Sequence, residues 1–314
     1  MASPPDARLA FWLMGGSVRS SSGRGPGADG LLALSVVADG RSRPAAVQLA
    51  RLAGRLELAG VWWREPPLTG PPADDLPGLL EALGSESSPA VAGLIADALV
   101  LTDLSGMSAG FRTVRGSSVR LAVCGSGPFP QPWPGRLAEL RDALGARLAL
   151  SPAASAGPCP DAGERPDASQ PAAASTPAVF VPVRPDRELD AAVSNAAAAA
   201  GGRPVLVEVA VSVGRTSAEA SARADGEELF ALTGHPRAQG LFGTLEECQA
   251  TAARLLHAGA TELVCYLPRS HDLPDVLAQL RAISIGAGAL RPGDPPSAPP
   301  PPPDGWGGRR PRAS

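Results

Sequence analysis

Gly125-Ser126-Gly127 follows directly on a short apolar run, residues 119–124. Glycine tolerates left-handed dihedrals and close approach, so backbone amides there can cradle a phosphate or lie against a flat ring. The same three residues also make an ordinary tight turn. Trp62, Trp63 and Trp133 are flat apolar side chains able to wall a ring system. Adjacent residues of a strand face opposite ways, so at most one of Trp62 and Trp63 lines a site, and Trp63 is the candidate. Glu65, at the end of that run, is the best-placed carboxylate of the first half, with plain solvation as its alternative. Arg215 follows the long apolar run 205–213 and has the forked geometry for a bidentate phosphate contact, although capping or solvation competes with that role. The three histidines fall in loops (His235, His271) and on a helix (His257), which argues against a metal triad. Neither a Ser/His/Asp arrangement nor a P-loop can be read from the chain.

Strands alternating with helices must position these groups. Residues 9–14 (LAFWLM) read as a first buried strand and 17–30 as a Gly/Ser/Arg loop. A helix from Pro44 follows, with Val47, Leu49, Ala50, Ala53, Leu56 and Leu58 on its face and Gly60 closing it. Residues 61–64 form the second strand and 75–83 a short helix with Pro77 in its first turn. Residues 89–102 are apolar and alanine-rich, which predicts a helix running towards a strand. Residues 119–124 are a strand, and a helix from Pro134 carries Leu137, Leu140, Leu144 and Leu148. Residues 179–183 are a strand and 186–200 a helix.

The clearest part is 205–283, read as strand, helix, loop, helix, strand, helix. Residues 205–213 (VLVEVAVSV) are β-branched and apolar with a single charge, Glu208, the pattern of a parallel strand covered on both faces. Thr216 with Glu219, and Thr244 with Glu247, have the spacing of capping boxes, in which Glu219 reaches back to the Thr216 amide. Leu245, Cys248, Ala252, Leu255 and Leu256 share one helix face, and Gly259 stops that helix. Residues 262–267 are a strand, and Leu273, Val276, Leu277 and Leu280 form the stripe of a last helix. Such alternation implies βαβ units and a parallel sheet or barrel.

Residues 151–176 and 286–314 are built from Pro, Gly, Ala, Ser and Asp without apolar periodicity. Such segments bury too little surface to offset the entropy of ordering them, so an insertion and a tail without packed structure are expected. The domain division is then a barrel over 1–285, interrupted at 151–177, and a tail over 286–314. The net charge of −3 argues against a nucleic-acid or membrane-surface role. Four cysteines without a CxxC pair point to reduced thiols. With no signal peptide and no apolar run of roughly 20 residues, a cytoplasmic location is expected.

Two blocks resemble the luciferase-like monooxygenase superfamily: residues 45–68, "VQLARLAGRLELAGVWWREPPL", and residues 205–283, with "VSVGRTSAEASARA", "GLFGTLEECQATAARLLHAGATELVCYLP" and "DLPDVLAQLRAI". The resemblance implies a (β/α)8 TIM-type barrel, compressed or incomplete in the middle, with its site at the carboxyl ends of the strands. It implies FMN or a deazaflavin as cofactor, a small-molecule substrate, and assembly as a homodimer or as a heterodimer with a related barrel. Binding of the cofactor is then expected at Trp63, Glu65, Gly125, Ser126, Gly127 and Arg215. Pro66 and Pro67 stand where the family places histidines, and the first 234 residues hold none. The alternative function is therefore a catalytically degenerate barrel that acts as a stabilising or interaction subunit.

Overall fold

The computed structural model describes residues 32–65, 67, 73–87, 91–97, 119–125, 133–152, 177–183, 188–225, 227, 230, 240–267 and 273–289. In chain order the elements are β1 (Ala33–Val37), α1 (Arg43–Arg55), β2 (Gly60–Glu65), α2 (Leu76–Glu86), β3 (Val91–Asp97), β4 (Arg120–Cys124) and α3 (Trp133–Leu144). There follow β5 (Leu148–Leu150), β6 (Ala178–Val181), α4 (Leu189–Ala200), β7 (Val205–Val213), α5 (Ser217–Asp225), β8 (Gly240–Gly243), α6 (Leu245–His257), β9 (Glu262–Tyr266) and α7 (Leu273–Ala289).

Every pairing is parallel. β1 to β7 lie side by side in order, and β9 closes the ring by pairing with both β7 and β1, so eight strands make a complete TIM-type barrel. The expected compression of the middle survives only as short strands: β5 has three residues and β6 four. β8 stands outside the ring of eight, pairing Gly240–Gly243 with the upper half of β7, Ala210–Val213. A Cβ on Gly240 would lie 2.0 Å from the Ala210 carbonyl oxygen, so only glycine allows this strand to start so close to β7.

Alternation along the strands of the ring divides most of the apolar residues into two cores, and a small third cluster of Ala210, Ala220, Ala224, Phe230 and Phe242 lies by β8 and α5. The outward set, with Val36, Val61, Trp63, Val123, Val207, Val209 and Leu263, packs under the helices against Leu49, Ala53, Leu83, Val193, Leu255 and Leu280. The inward set is smaller: Val37, Trp62, Ile95, Ala122, Cys124, Ala149, Ala178, Phe180, Leu206, Val264 and Tyr266 fill the barrel. Trp62 fits there because its neighbour on β3 is Gly93, where a Cβ would meet the indole Cε3 at 2.3 Å.

Several sequence expectations change. Residues 9–14 lie outside the described residues, as do 153–176 and 290–314. The strand that takes first place in the ring is Ala33–Val37, which the sequence reading leaves unassigned. α1 ends at Arg55 and Glu57 adopts the left-handed φ of 54°, so Gly60 opens β2 rather than closing the helix. The alanine-rich run expected to begin as a helix is β3, because both its faces are covered and its central residues are all buried. Leu148 leaves the α3 stripe: a 3-10 turn at Gly145–Arg147 ends the helix and Leu148–Leu150 becomes β5. Gly240–Gly243 is a strand where a loop was expected. α7 runs through Gly286, where the Gln249 side chain lies so close that a Cβ would displace it.

The Thr244 and Glu247 capping box forms as expected. At α5 the Thr216 hydroxyl accepts from the Glu219 amide at 3.1 Å, but Glu219 Oε2 accepts from Arg215 N at 2.9 Å rather than from Thr216.

Candidate functional site

The barrel interior carries two polar clusters, one near each end. At the amino end Glu262 accepts from Ser35 Oγ at 2.5 Å, Arg120 Nη1 at 2.7 Å and Trp62 Nε1 at 3.4 Å. The Arg120 guanidinium lies 4.9 Å from the Trp62 ring centroid, so the indole covers the cation while its edge donates to the carboxylate.

At the carboxyl end, where TIM-type barrels build their sites, the last residues of β4 and β9, the penultimate residue of β2 and the middle of β7 meet. Arg64 Nη1 donates to Glu208 Oε1 at 2.6 Å and to the Tyr266 hydroxyl at 3.1 Å. Tyr266 donates to the same Glu208 oxygen at 2.7 Å, and the Val183 amide donates to Oε2 at 3.0 Å. Arg64 Nη2 approaches Cys124 Sγ at 3.6 Å, and that thiol donates weakly to Ala96 O at 3.5 Å. The Glu208 side chain is fully buried, whereas that of Arg64 keeps 14 % of its surface exposed, so Arg64 is the less buried member of the pair.

The electrostatics follow from burial and pairing. Burial opposes the charge on Arg64, but Glu208 opposite it, helped by Tyr266 and Cys124, holds the guanidinium firmly protonated. Burial pushes the Tyr266 hydroxyl well above the ordinary tyrosine value; Arg64 offsets part of that rise, while Glu208 and Asp39 add to it. Burial likewise pushes the Cys124 thiol up to about 12, with Arg64 lowering it and the Glu208 and Asp97 charges adding to the rise. The cluster therefore holds a permanent cation, a neutral phenol and a neutral thiol at neutral pH. Cys124 is no thiolate nucleophile.

The residues singled out in the sequence do not converge here. Trp63 and Glu65 lie on the outward face of β2, where Trp63 Nε1 donates to Glu65 Oε2 at 3.0 Å and Trp63 joins the core under the helices. The same alternation turns Trp62 and Arg64 inward. Gly125 is buried directly after β4, and Ser126 and Gly127 lie outside the described residues. Arg215 is exposed between β7 and α5. Trp133 opens α3. Among the described residues no group of three or more His, Cys, Asp or Glu could hold a metal ion, and no helix is long and apolar enough to cross a membrane. The three described cysteines are free and buried.

Arg64, Cys124, Glu208 and Tyr266 were missed as a group, though one signal was present. A lone carboxylate in a nine-residue strand buried at every position needs a cationic or multi-donor partner. That partner is 144 residues away in sequence, beyond any local pattern.

No family model and no curated protein matches the sequence. Solved structures do match the fold. A structure described as apo-MsnO8 superposes with a TM-score of 0.55 at 17 % identity, over 81 % of this chain and 98 % of that one. An F420-dependent secondary alcohol dehydrogenase with an F420-acetone adduct gives 0.53 at 11 %, over 82 % and 99 %. A coenzyme F420-dependent tetrahydromethanopterin reductase from Methanopyrus kandleri gives 0.53 at 13 %, over 80 % and 97 %. The likeness to luciferase-like enzymes expected from the sequence thus holds in the fold.

Proposed function

We propose that the chain is an oxidoreductase or monooxygenase that works with reduced FMN or a deazaflavin on a small organic substrate. The observation that carries this reading is the Arg64–Glu208–Tyr266 cluster at the carboxyl end of a barrel whose solved neighbours include F420-dependent enzymes. When bound, such a cofactor supplies hydride or electrons to a substrate or to oxygen.

The donor set suits it. Arg64 offers fixed positive charge to an electron-rich ring, and Ile95, Ala122 and Cys124 offer an apolar inner surface beside it. Glu208 holds the guanidinium in place, and the buried Trp62 and Phe180 fill the barrel below and exclude water from that side. Trp63 and Glu65 serve the scaffold from the helix side. Gly125, Ser126, Gly127 and Arg215 remain the groups to test for contacts with a cofactor phosphate.

A second reading is favoured by one feature: both oxygens of Glu208 are already taken by groups of the chain itself. A barrel so closed on itself suits a stabilising or interaction subunit, as a homodimer or beside a related barrel. Titrating the purified protein with FMN and with F420, oxidised and reduced, separates the two. Saturable changes in visible absorbance or fluorescence at micromolar cofactor are expected. If neither cofactor binds, the enzyme reading fails, and sedimentation with candidate barrel partners becomes the relevant measurement.

A further inference from the structure

The two ends of the Arg64 guanidinium are unequally satisfied. Nη1 has two strong acceptors, a buried carboxylate at 2.6 Å and a phenol oxygen at 3.1 Å. Among the described residues Nη2 reaches only the Cys124 sulfur at 3.6 Å, and a thiol is a weak acceptor for a charged donor. Glu208 in turn takes three donors, Tyr266, Val183 N and Arg64, across both of its oxygens, which holds the carboxylate in place.

At the amino end Arg120 is likewise bound through Nη1, but its guanidinium lies against the Trp62 ring and at the end of the barrel opposite to where TIM-type barrels build their sites. Taking an ion pair out of water costs several kcal/mol unless geometry and hydrogen bonds are complete. Here Arg64 is also the less buried member of the pair, with its side chain 14 % exposed and that of Glu208 not at all.

We infer that Arg64 is an anion-anchoring residue: its Nη2 donates to an anionic oxygen or ring nitrogen of the bound ligand, with Glu208, Tyr266 and Val183 N as the set that positions it. The ligand is therefore charged at the end that enters the barrel. Two sources share this chemistry, the carboxylate of a small organic acid and the anionic ring of a reduced flavin. The inference shares its site with the cofactor reading but does not require it.

The test compares matched probes that differ in charge. Benzoate against benzamide reports a carboxylate, and reduced against oxidised FMN reports an anionic ring; each pair is titrated calorimetrically into the full-length protein. Removing Arg64 alone strands Glu208, so the test variant is the double substitution Arg64→Met with Glu208→Gln, checked for folding by its thermal transition. A charge-assisted hydrogen bond predicts that benzoate binds roughly ten- to a hundredfold more tightly than benzamide, or that FMN with the anionic reduced ring does so over FMN with the neutral oxidised ring, the phosphate being common to both. The double variant brings that ratio close to one and leaves the neutral probe unchanged. Should the double variant fail to fold, Arg64→Lys decides, because lysine keeps the charge without the fork and lowers the preference at least about fivefold. Equal binding of charged and neutral probes by the wild type, or a preference that survives these substitutions, overturns the inference. If FMN and F420 both fail in either redox state while benzoate keeps its preference, the cofactor reading falls and the anion site stands.

Discussion

The two ends of the barrel interior use the same parts to different effect. Each pairs an arginine with a buried carboxylate beside an aromatic side chain. At the amino end Glu262 takes three donors, and Arg120, bound through Nη1, lies against the face of Trp62. At the carboxyl end the carboxylate is equally satisfied, but the arginine keeps one nitrogen facing only a thiol. Composition alone does not separate a plug from a site. What differs is the cover on each arginine, an indole face at the amino end and a thiol at the carboxyl end, where TIM-type barrels build their sites.

The sharpest break of this comparison is Glu208→Ala. It leaves Arg64 without its countercharge in the barrel, and a loss of about 3–5 kcal/mol in unfolding free energy is expected by urea titration. A loss below about 1 kcal/mol would mean that the pair does not organise the carboxyl end. Gly93→Ala tests the amino end by steric means. Its Cβ would be driven into the Trp62 ring, at an expected cost of about 1–3 kcal/mol. The added substitution Trp62→Leu should make Gly93→Ala nearly free in a double-mutant cycle; persistence of the full cost would place the clash elsewhere. Glu262→Gln retains an acceptor for Ser35 and Trp62, and Arg120 is 23 % exposed, so its cost should be smaller than that of Glu208→Ala, about 1–2 kcal/mol.

A pH effect comes next. Burial holds the Cys124 and Cys248 thiols up to about 12 in the fold, against an ordinary value of 9.0. The unfolded chain therefore loses those protons first. Stability is fully present below pH ~9 and falls as pH rises from there towards 12, by up to about 1.4 kcal/mol per pH unit for each thiol. Thermal melts from pH 7 to 10.5 should decline, and Cys248→Ala should flatten the decline; an unchanged slope would show that thiols do not govern it. The smallest effect is expected for Arg215→Ala, an exposed side chain whose backbone amide makes the recorded bond, with no measurable shift in melting temperature.

What could be read from the chain follows from the range of the forces involved. The 205–283 stretch was legible because its information is local. A strand buried on both faces needs a continuous apolar run, a helix start needs Thr244 with Glu247, and a helix stop needs Gly259 at φ 108°. The parallel βαβ class followed from those units. Elements that lack an internal signature were missed or misassigned. Ala33–Val37 and the three-residue β5 exist as strands because neighbours offer hydrogen bonds on both edges. The alanine-rich β3 is extended for the same reason, against its own preference for a helix.

The candidate site was less legible still. Alternation in β2 was recognised, so one tryptophan had to face inward, but which one depends on where the barrel axis lies. Trp62 and Arg64 face inward, and Trp63 and Glu65 lie under the helices. Glu208 announced itself as a charge in an apolar strand, yet nothing near it in sequence names its partner. Local pattern thus determined the helices, the long strands and the architectural class. Ring closure through β9 determined the rest, because only a closed barrel brings β2, β4, β7 and β9 within hydrogen-bonding distance at one end and leaves Arg64 with a nitrogen to spare.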